Sequence, residues 1–340
     1  MKHVNVVRGL VAGLSLAALS GLAVGAQSTV VTVGSAGVIR YLEKGQPPVV
    51  IHPTVEQAQS MREAHGTHGK GGGGSTTSNL IYNGGTGGIG VETAPKIYLI
   101  FWGSQWTNND PSGEANLLIS FLNSIGSSSW LNTVTQYCQG VASGTIFCNG
   151  AGTPVGNQAY MLAGSWYDNG SAAPNKPTQS QIAAEAARAA QYFGNTGAGS
   201  NDTTQYVIAT ANGYNSSGFG KQYCAYHSST TSSSGDIAYT NLPYITDAGA
   251  SCGANFNGLG ADAGITIVEG HEAAETMTDQ FPSTGWLDSS GSEIGDKCAW
   301  ISSGQGASAD VTFPDGITYP VQSLWSNAFN SGGGGCVLSY

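Results

Sequence analysis

The stretch GADAGITIVEGHEAAETMTD, residues 260–279, limits what this chain can fold into more than any other part of it. Its apolar residues Ile265, Ile267 and Val268 require a core position, and the FPSTGW that follows supplies a stop, so it reads as one helix. The same helix carries Glu269, His271, Glu272, Glu275 and Asp279, in a chain where only 9% of residues are charged. A carboxylate taken out of water needs a cation, hydrogen-bond donors or a proton. Whatever packs around this helix must supply them.

Residues four apart share a helix face, so His271 and Glu275 project side by side while Glu272 sits about 100° round from His271. That arrangement suits a divalent ion: two ligands from successive turns reach it, and a third group overhangs its open position. In the His-Glu-x-x-His zinc motif the Glu is the general base. Here Glu275 stands where the second histidine would be, and carboxylate also ligates zinc. Further ligands are expected downstream, where GWLDSSGSEIGDKC (285–298) offers Asp288, Glu293 and Asp296. Glu293 is the first choice, with Asp296 as alternative or supporting partner. The histidine favours zinc; calcium, which takes about six to eight oxygens, is the rival ion. His227, on an expected strand, reads as structural. A Glu-rich helix is most often a solvated face, but the apolar residues ahead of the motif argue for burial.

KIYLIFWG (96–103) is a nearly continuous apolar run, as a central strand requires. SGEANLLISFLNSI (112–125) has helical spacing with Ser112 as its cap. TQSQIAAEAARAAQYFGN (178–195) is a second helix, capped by Thr178 and stopped at Gly194. TQYVIATANG (204–213), QYCAYHSS (222–229) and DIAYTNLPYI (236–245) read as strands between Gly- and Ser-rich turns. This order predicts an α+β fold, a single domain built on a mixed sheet. The six cysteines form an even set; pairing of sequence neighbours (138 with 148, 224 with 252, 298 with 336) closes the shortest loops. Without a Cys-x-x-Cys pair a thiolate zinc cluster is disfavoured.

Residues 1–26 read as a secretory signal: Lys2, His3 and Arg8, an apolar run from Gly9 to Val24, then small residues to Ala26. Residues 27–78 are a pro-segment with a Gly/Ser linker, or a disordered extension, ending in HGTHGKGGGGSTTS. His65 and His68 suit a segment that caps a metal until it is cut away. Residues 79–340 then form the mature domain. Its only cations are Lys96, Lys176, Arg188, Lys221 and Lys297, too few to neutralise phosphates, which excludes nucleic acid and anionic membrane as partners. A secreted monomer acting on extracellular protein or cell-wall material is expected. There is no Gly-x-Ser-x-Gly elbow and no P-loop. GGTGGIG (84–90) precedes a strand and reads as a loop, while the seven tryptophans either line a sugar or peptide groove or fill the core.

Three blocks in order, LIYNGGTGGIGVETAPKIYLIFWGSQW, GHEAAETMTD and GWLDSSGSEIGDKCAW, resemble the secreted exordium/phosphate-induced protein family and its bacterial relatives over residues 79–340. Asn83 departs from the histidine that commonly follows the tyrosine there. Plant members of that family are associated with cell-wall and growth responses, and no established activity transfers. The helix also resembles a zincin-like metal-binding helix: Glu293 follows Glu275 at a gluzincin-like spacing, and zincins place their active-site helix after an edge strand. The resemblance implies a zinc-dependent hydrolase, a metallopeptidase, with His271, Glu275 and Glu293 on the metal and Glu272 as base. The alternative is a non-catalytic cell-wall or glycan-binding protein with a structural ion.

Overall fold

The computed structural model describes residues 31–32, 38–68 and 79–340 apart from Ala198, with backbone alone for 31–32 and 64–68. The expected signal segment, the Gly/Ser tract and the side chains of His65 and His68 lie outside the described residues. Eight strands form one mixed sheet: β1 (Val31–Thr32), β2 (Ile39–Tyr41), β3 (Val49–His52), β4 (Lys96–Trp102), β5 (Leu162–Asp168), β6 (Thr204–Thr210), β7 (Ala225–Ser232) and β8 (Gly235–Leu242). Their spatial order is β1-β2-β3-β7-β8-β6-β4-β5. β8, β6, β4 and β5 run parallel, and the others pair antiparallel.

The apolar run predicted as a central strand is β4, flanked on both sides by parallel neighbours. Every residue of β6 is buried, as expected of a strand covered on both faces. The helices are α1 (Val55–His68), α2 (Glu114–Ser124), α3 (Gln179–Tyr192) and α4 (Ala263–Thr278). α3 packs Ile182, Ala186 and Ala189 on one face of the sheet against Ile100, Tyr206 and Ile208. α2 and α4 fill the other face with Leu118, Phe121, Ile265 and Val268 against Leu99, Phe101 and Val207. Thr178 caps α3 through a full capping box. Ser112 does not cap α2: Asp110 takes that part, accepting from the Glu114 and Ala115 amides at 2.8 and 3.2 Å.

α4 is buried along its whole length. Gly270 lets the rings of Phe121 and Trp130 approach it, since an added Cβ would lie 3.1 Å from both. The strand before α4, β8, lies inside the sheet between β7 and β6, so the edge-strand arrangement of the zincin plan is not reproduced. Trp130, Trp286 and Trp300 are fully buried core residues rather than groove liners. Among the described residues no helix is long and apolar enough to cross a membrane.

Cys138–Cys148, Cys224–Cys252 and Cys298–Cys336 are bonded, the pairing of nearest neighbours, and no cysteine is free. Three such bonds fit an oxidising compartment. Residues 38–68 are built into the same fold: β3 pairs with β7, and Arg62 donates to the Ala299 and Trp300 carbonyls at 2.6 and 3.2 Å. Cys298–Cys336 closes the longest loop, 38 residues, and anchors the segment just after Asp296. Replacing both cysteines with serine should lower stability by about 4 kcal/mol, a fall of about 8–16 °C in Tm. Thermal unfolding of the double variant under non-reducing conditions checks this.

Candidate metal centre

The acids of α4 meet two other elements. β7 brings His227 to the helix: its Nδ1 is 3.2 Å from Glu272 Oε2 and 3.7 Å from Glu275 Oε2, while its Nε2 is 3.5 Å from Glu293 Oε1. The loop after Trp286 brings Glu293 and Asp296. His271 Nε2 lies 3.1 Å from Glu275 Oε2 and 3.8 Å from Asp296 Oδ1. Two groups with metal-ligand geometry result, His227–Glu272–Glu275 and His271–Glu275–Asp296, and they share Glu275.

Each of these side chains uses one polar atom on the protein and keeps another free. Glu275 Oε1 accepts from the Gly295 and Asp296 amides at 3.2 and 2.8 Å, leaving Oε2 unpaired. Asp296 Oδ2 accepts from the Glu293 amide at 2.9 Å, leaving Oδ1 unpaired. His271 Nδ1 meets Gln322 Oε1 at 3.2 Å, and Gln322 Nε2 in turn donates to the Gly295 carbonyl at 2.9 Å, so the amide orientation is fixed. Its oxygen then accepts from Nδ1–H and leaves the Nε2 lone pair aimed at Glu275 and Asp296. Gly295 is required beside this ring, because a Cβ there would stand 2.6 Å from His271 Nδ1.

Buried polar atoms are almost always satisfied, so a cluster of orphans in one place points to a missing partner. His227 Nε2, His271 Nε2, Glu272 Oε1, Glu275 Oε2, Asp296 Oδ1 and both oxygens of Glu293 are unpaired. Ligands around a tetrahedral zinc with bonds of about 2.0–2.2 Å stand about 3.3–3.5 Å apart. The separations of 3.1, 3.2, 3.7 and 3.8 Å bracket that value. The residues present fit a divalent transition ion.

Burial explains the electrostatics. It pushes Glu272 up to about 8, and lifts Glu275, Glu293 and Asp296 well above the ordinary carboxyl range, each reinforced by a neighbouring acid. The same desolvation lowers His271 to about 4 and His52 well below the usual imidazole range. Without a cation the carboxyls therefore hold protons and the two histidines stay neutral.

Of the residues singled out from sequence, His271, Glu272, Glu275, Glu293 and Asp296 all gather here. Asp296, rather than Glu293, completes the group around His271, while Glu293 faces His227. Asp288 is turned away, paired with Lys297 at 2.6 Å. Three residues were missed. His227 is a member of the cluster rather than a lone structural histidine, and the only sequence signal was a polar residue inside a strand. Gln322 gave no signal. His52 comes from the presumed pro-segment, with its ring 4.0 Å from that of His271. No protein-family model, curated protein or solved structure matches this chain.

Two outcomes follow from the geometry. Carboxyls raised from about 4.5 (Glu) or 3.8 (Asp296) in the unfolded chain stabilise the metal-free fold fully below those values and lose the contribution as pH rises through the folded value. His271 and His52, lowered from about 6.5, act oppositely, but their contribution is complete above that value. Between pH 6.5 and 8.5 the urea midpoint of metal-free protein should therefore fall, and a bound ion should suppress most of the fall. Glu92, pushed to about 8 by burial, Glu185, pushed to about 7, and Glu114 and Glu269, raised well above the ordinary range, leave a residual slope of the same sign that the ion does not remove. Gln322→Leu should leave the fold intact and weaken zinc affinity about 10–100-fold, measured by competition with a chromophoric chelator.

Proposed function

We propose that the protein is a secreted, metal-dependent hydrolase of extracellular protein substrates, with zinc as its ion. The observation that carries this is the set of unpaired ligand atoms converging from α4, β7 and the 293–296 loop in a fully buried place. His271 Nε2, Glu275 Oε2 and Asp296 Oδ1 would hold the ion; a divalent cation there supplies a Lewis acid that acidifies water and polarises a carbonyl. Glu272 is left over beside this set with one oxygen against His227 and the other free. In its ionised form it takes a proton from water, and an acid held near 8 by burial is suited to that exchange at neutral pH. His227 orients Glu272 through Nδ1, and Glu293 lies behind its Nε2. The imidazole donor of His271 favours zinc over calcium. The helix resembles the zincin motif in this division of roles, although the sheet around it differs.

A second reading, a non-catalytic extracellular binding protein with a structural ion, draws on one feature: His227, His271, Glu272, Glu275 and Glu293 are all 0% exposed. Structural zinc sites are closed, whereas catalytic ones keep an open position. Two substitutions separate the readings. Glu275→Gln should abolish zinc binding, read by metal analysis of purified protein. Glu272→Gln should keep the ion held by His271, Glu275 and Asp296 while lowering hydrolysis of an unfolded protein substrate by about 10²–10⁴-fold, because an amide cannot accept the proton. Zinc-loaded wild type that cleaves nothing, cut or uncut between residues 69 and 78, would leave the structural-ion reading in place.

A further inference from the structure

Residues 38–54 reach the metal centre along the sheet. β3 pairs antiparallel with β7, placing His52 opposite Ala225, Ile51 opposite Tyr226 and Val50 opposite His227. The segment thus runs beside the strand that carries a site histidine, and the Cys224 amide donates to the His52 carbonyl at 2.8 Å. His52 is fully buried between His271 and Trp300, at ring distances of 4.0 and 4.9 Å, and neither of its nitrogens reaches good hydrogen-bond geometry, the Gln322 amide being close enough only to act on it weakly. A buried imidazole without partners lowers stability. Packing of the fold alone gives no reason to keep it.

The attachment of this segment differs from that of the rest. All three disulfides lie within residues 79–340, so the body is cross-linked to itself and residues 38–68 are held to it without a covalent tie other than the chain. The hold consists of strand pairing, buried side chains including Val38, Val49, Val50, Ile51 and Ala58, hydrogen bonds to its carbonyls, and side-chain bonds of Arg62, Gln57, Glu43 and Glu56 to the body. Gln179 donates to Pro47, Ser228 to Pro48 and Trp300 to Pro53, at 2.7–2.9 Å. In sequence a Gly/Ser tract joins it to Asn79. With the segment in place, the metal centre is closed to any substrate.

We propose that β3 occupies the groove in which an extended peptide lies when it reaches the metal centre, paired antiparallel with β7, and that residues 38–68 are a built-in inhibitor seated in that groove. The proposal rests on the hydrolase reading and adds to it a substrate class and a mode of control. An extended peptide added to a strand is recognised mainly through backbone hydrogen bonds, so the groove tolerates many sequences and a segment of the chain itself fills it. His52 then sits where the peptide passes His271, which accounts for a ring that packs there without bonding. Cutting the Gly/Ser tract frees the segment to leave, while the disulfides keep the body folded around an exposed β7.

The test uses the full-length chain with a site-specific protease sequence inserted between residues 69 and 78, loaded with zinc. After cutting, the fragment is displaced by mild urea and removed by size exclusion. Three quantities are read before and after: zinc extraction by a chelator, hydrogen exchange of the β7 amides, and hydrolysis of an unfolded protein substrate. Extraction should quicken by roughly tenfold or more once access ceases to require local opening, β7 should lose protection, and hydrolysis should appear. A synthetic peptide of residues 38–68 should reverse all three. A fragment that cannot be removed without unfolding the body overturns the proposal, as does unchanged extraction after removal. Uncut protein that hydrolyses as fast as cut protein also overturns it while leaving the hydrolase reading standing. Faster extraction reversed by the peptide, without hydrolysis, supports the groove and removes the hydrolase.

Discussion

The structure depends on one unfavourable burial. α4 is enclosed on every side, yet it carries Glu269, His271, Glu272 and Glu275 at 0% exposure. Ionised carboxylates in that position are too costly to leave without counter-charge, and the nearby cations are few, with Arg40 within electrostatic reach of Asp296. None of the five lysines and arginines after Asn79 enters the cluster; Lys297, the nearest in sequence, is committed to Asp288. The charges of Glu269, Glu272, Glu275 and Glu293 are then left to protons or to an ion from outside. Protons suffice for folding and leave free lone pairs that could serve a metal.

The rest of the fold serves this arrangement. β7, β8 and β3 lie under α4, and β7 turns back antiparallel to β8 so that His227 faces the helix from the sheet. The 293–296 loop is held by Cys298–Cys336 and by two amides donated to Glu275. Those amides also settle the direction of the carboxylate: with Oε1 occupied, only Oε2 can turn toward the two histidines. The positions of the ligand atoms follow from backbone hydrogen bonds rather than from mutual attraction of the acids, which repel one another. An ion would therefore find its donors already placed.

Much of this was legible in the sequence, and the limits have physical causes. The strands at 96, 204, 222 and 236 and the helices at 178 and 260 stand out because periodicity and capping are local. The disulfide pairing followed from loop closure, and the gathering of His271, Glu275, Glu293 and Asp296 from helical spacing and a short downstream segment. β5 escaped notice because its burial alternates on a sheet edge with few β-branched residues. His227 and Gln322 were missed for another reason: a side chain that reaches a site across the sheet leaves no mark on its own neighbours in sequence. His52 was missed because composition set residues 27–78 apart, and composition cannot show that part of an apparent extension pairs with the central sheet.

The choice between a structural and a catalytic ion then turns on the surplus of donors. A structural zinc takes four ligands and satisfies them all. Here six side chains present unpaired atoms, and two of them, Glu272 and Glu293, lie against the same histidine rather than around one point. On the hydrolase reading we propose, His271, Glu275 and Asp296 hold the ion and the Glu272–His227 pair moves a proton; on the structural-ion reading, His227, Glu272 and Glu275 are themselves a candidate ligand group. Burial of the whole group argues for stability only if the enclosure is permanent. The enclosure includes a strand that no disulfide ties down, ending in His52, whose ring nitrogens are unpaired. If that strand leaves as we propose, the closed site is the latent form of the proposed hydrolase; if it stays, the same enclosure suits a permanent structural ion.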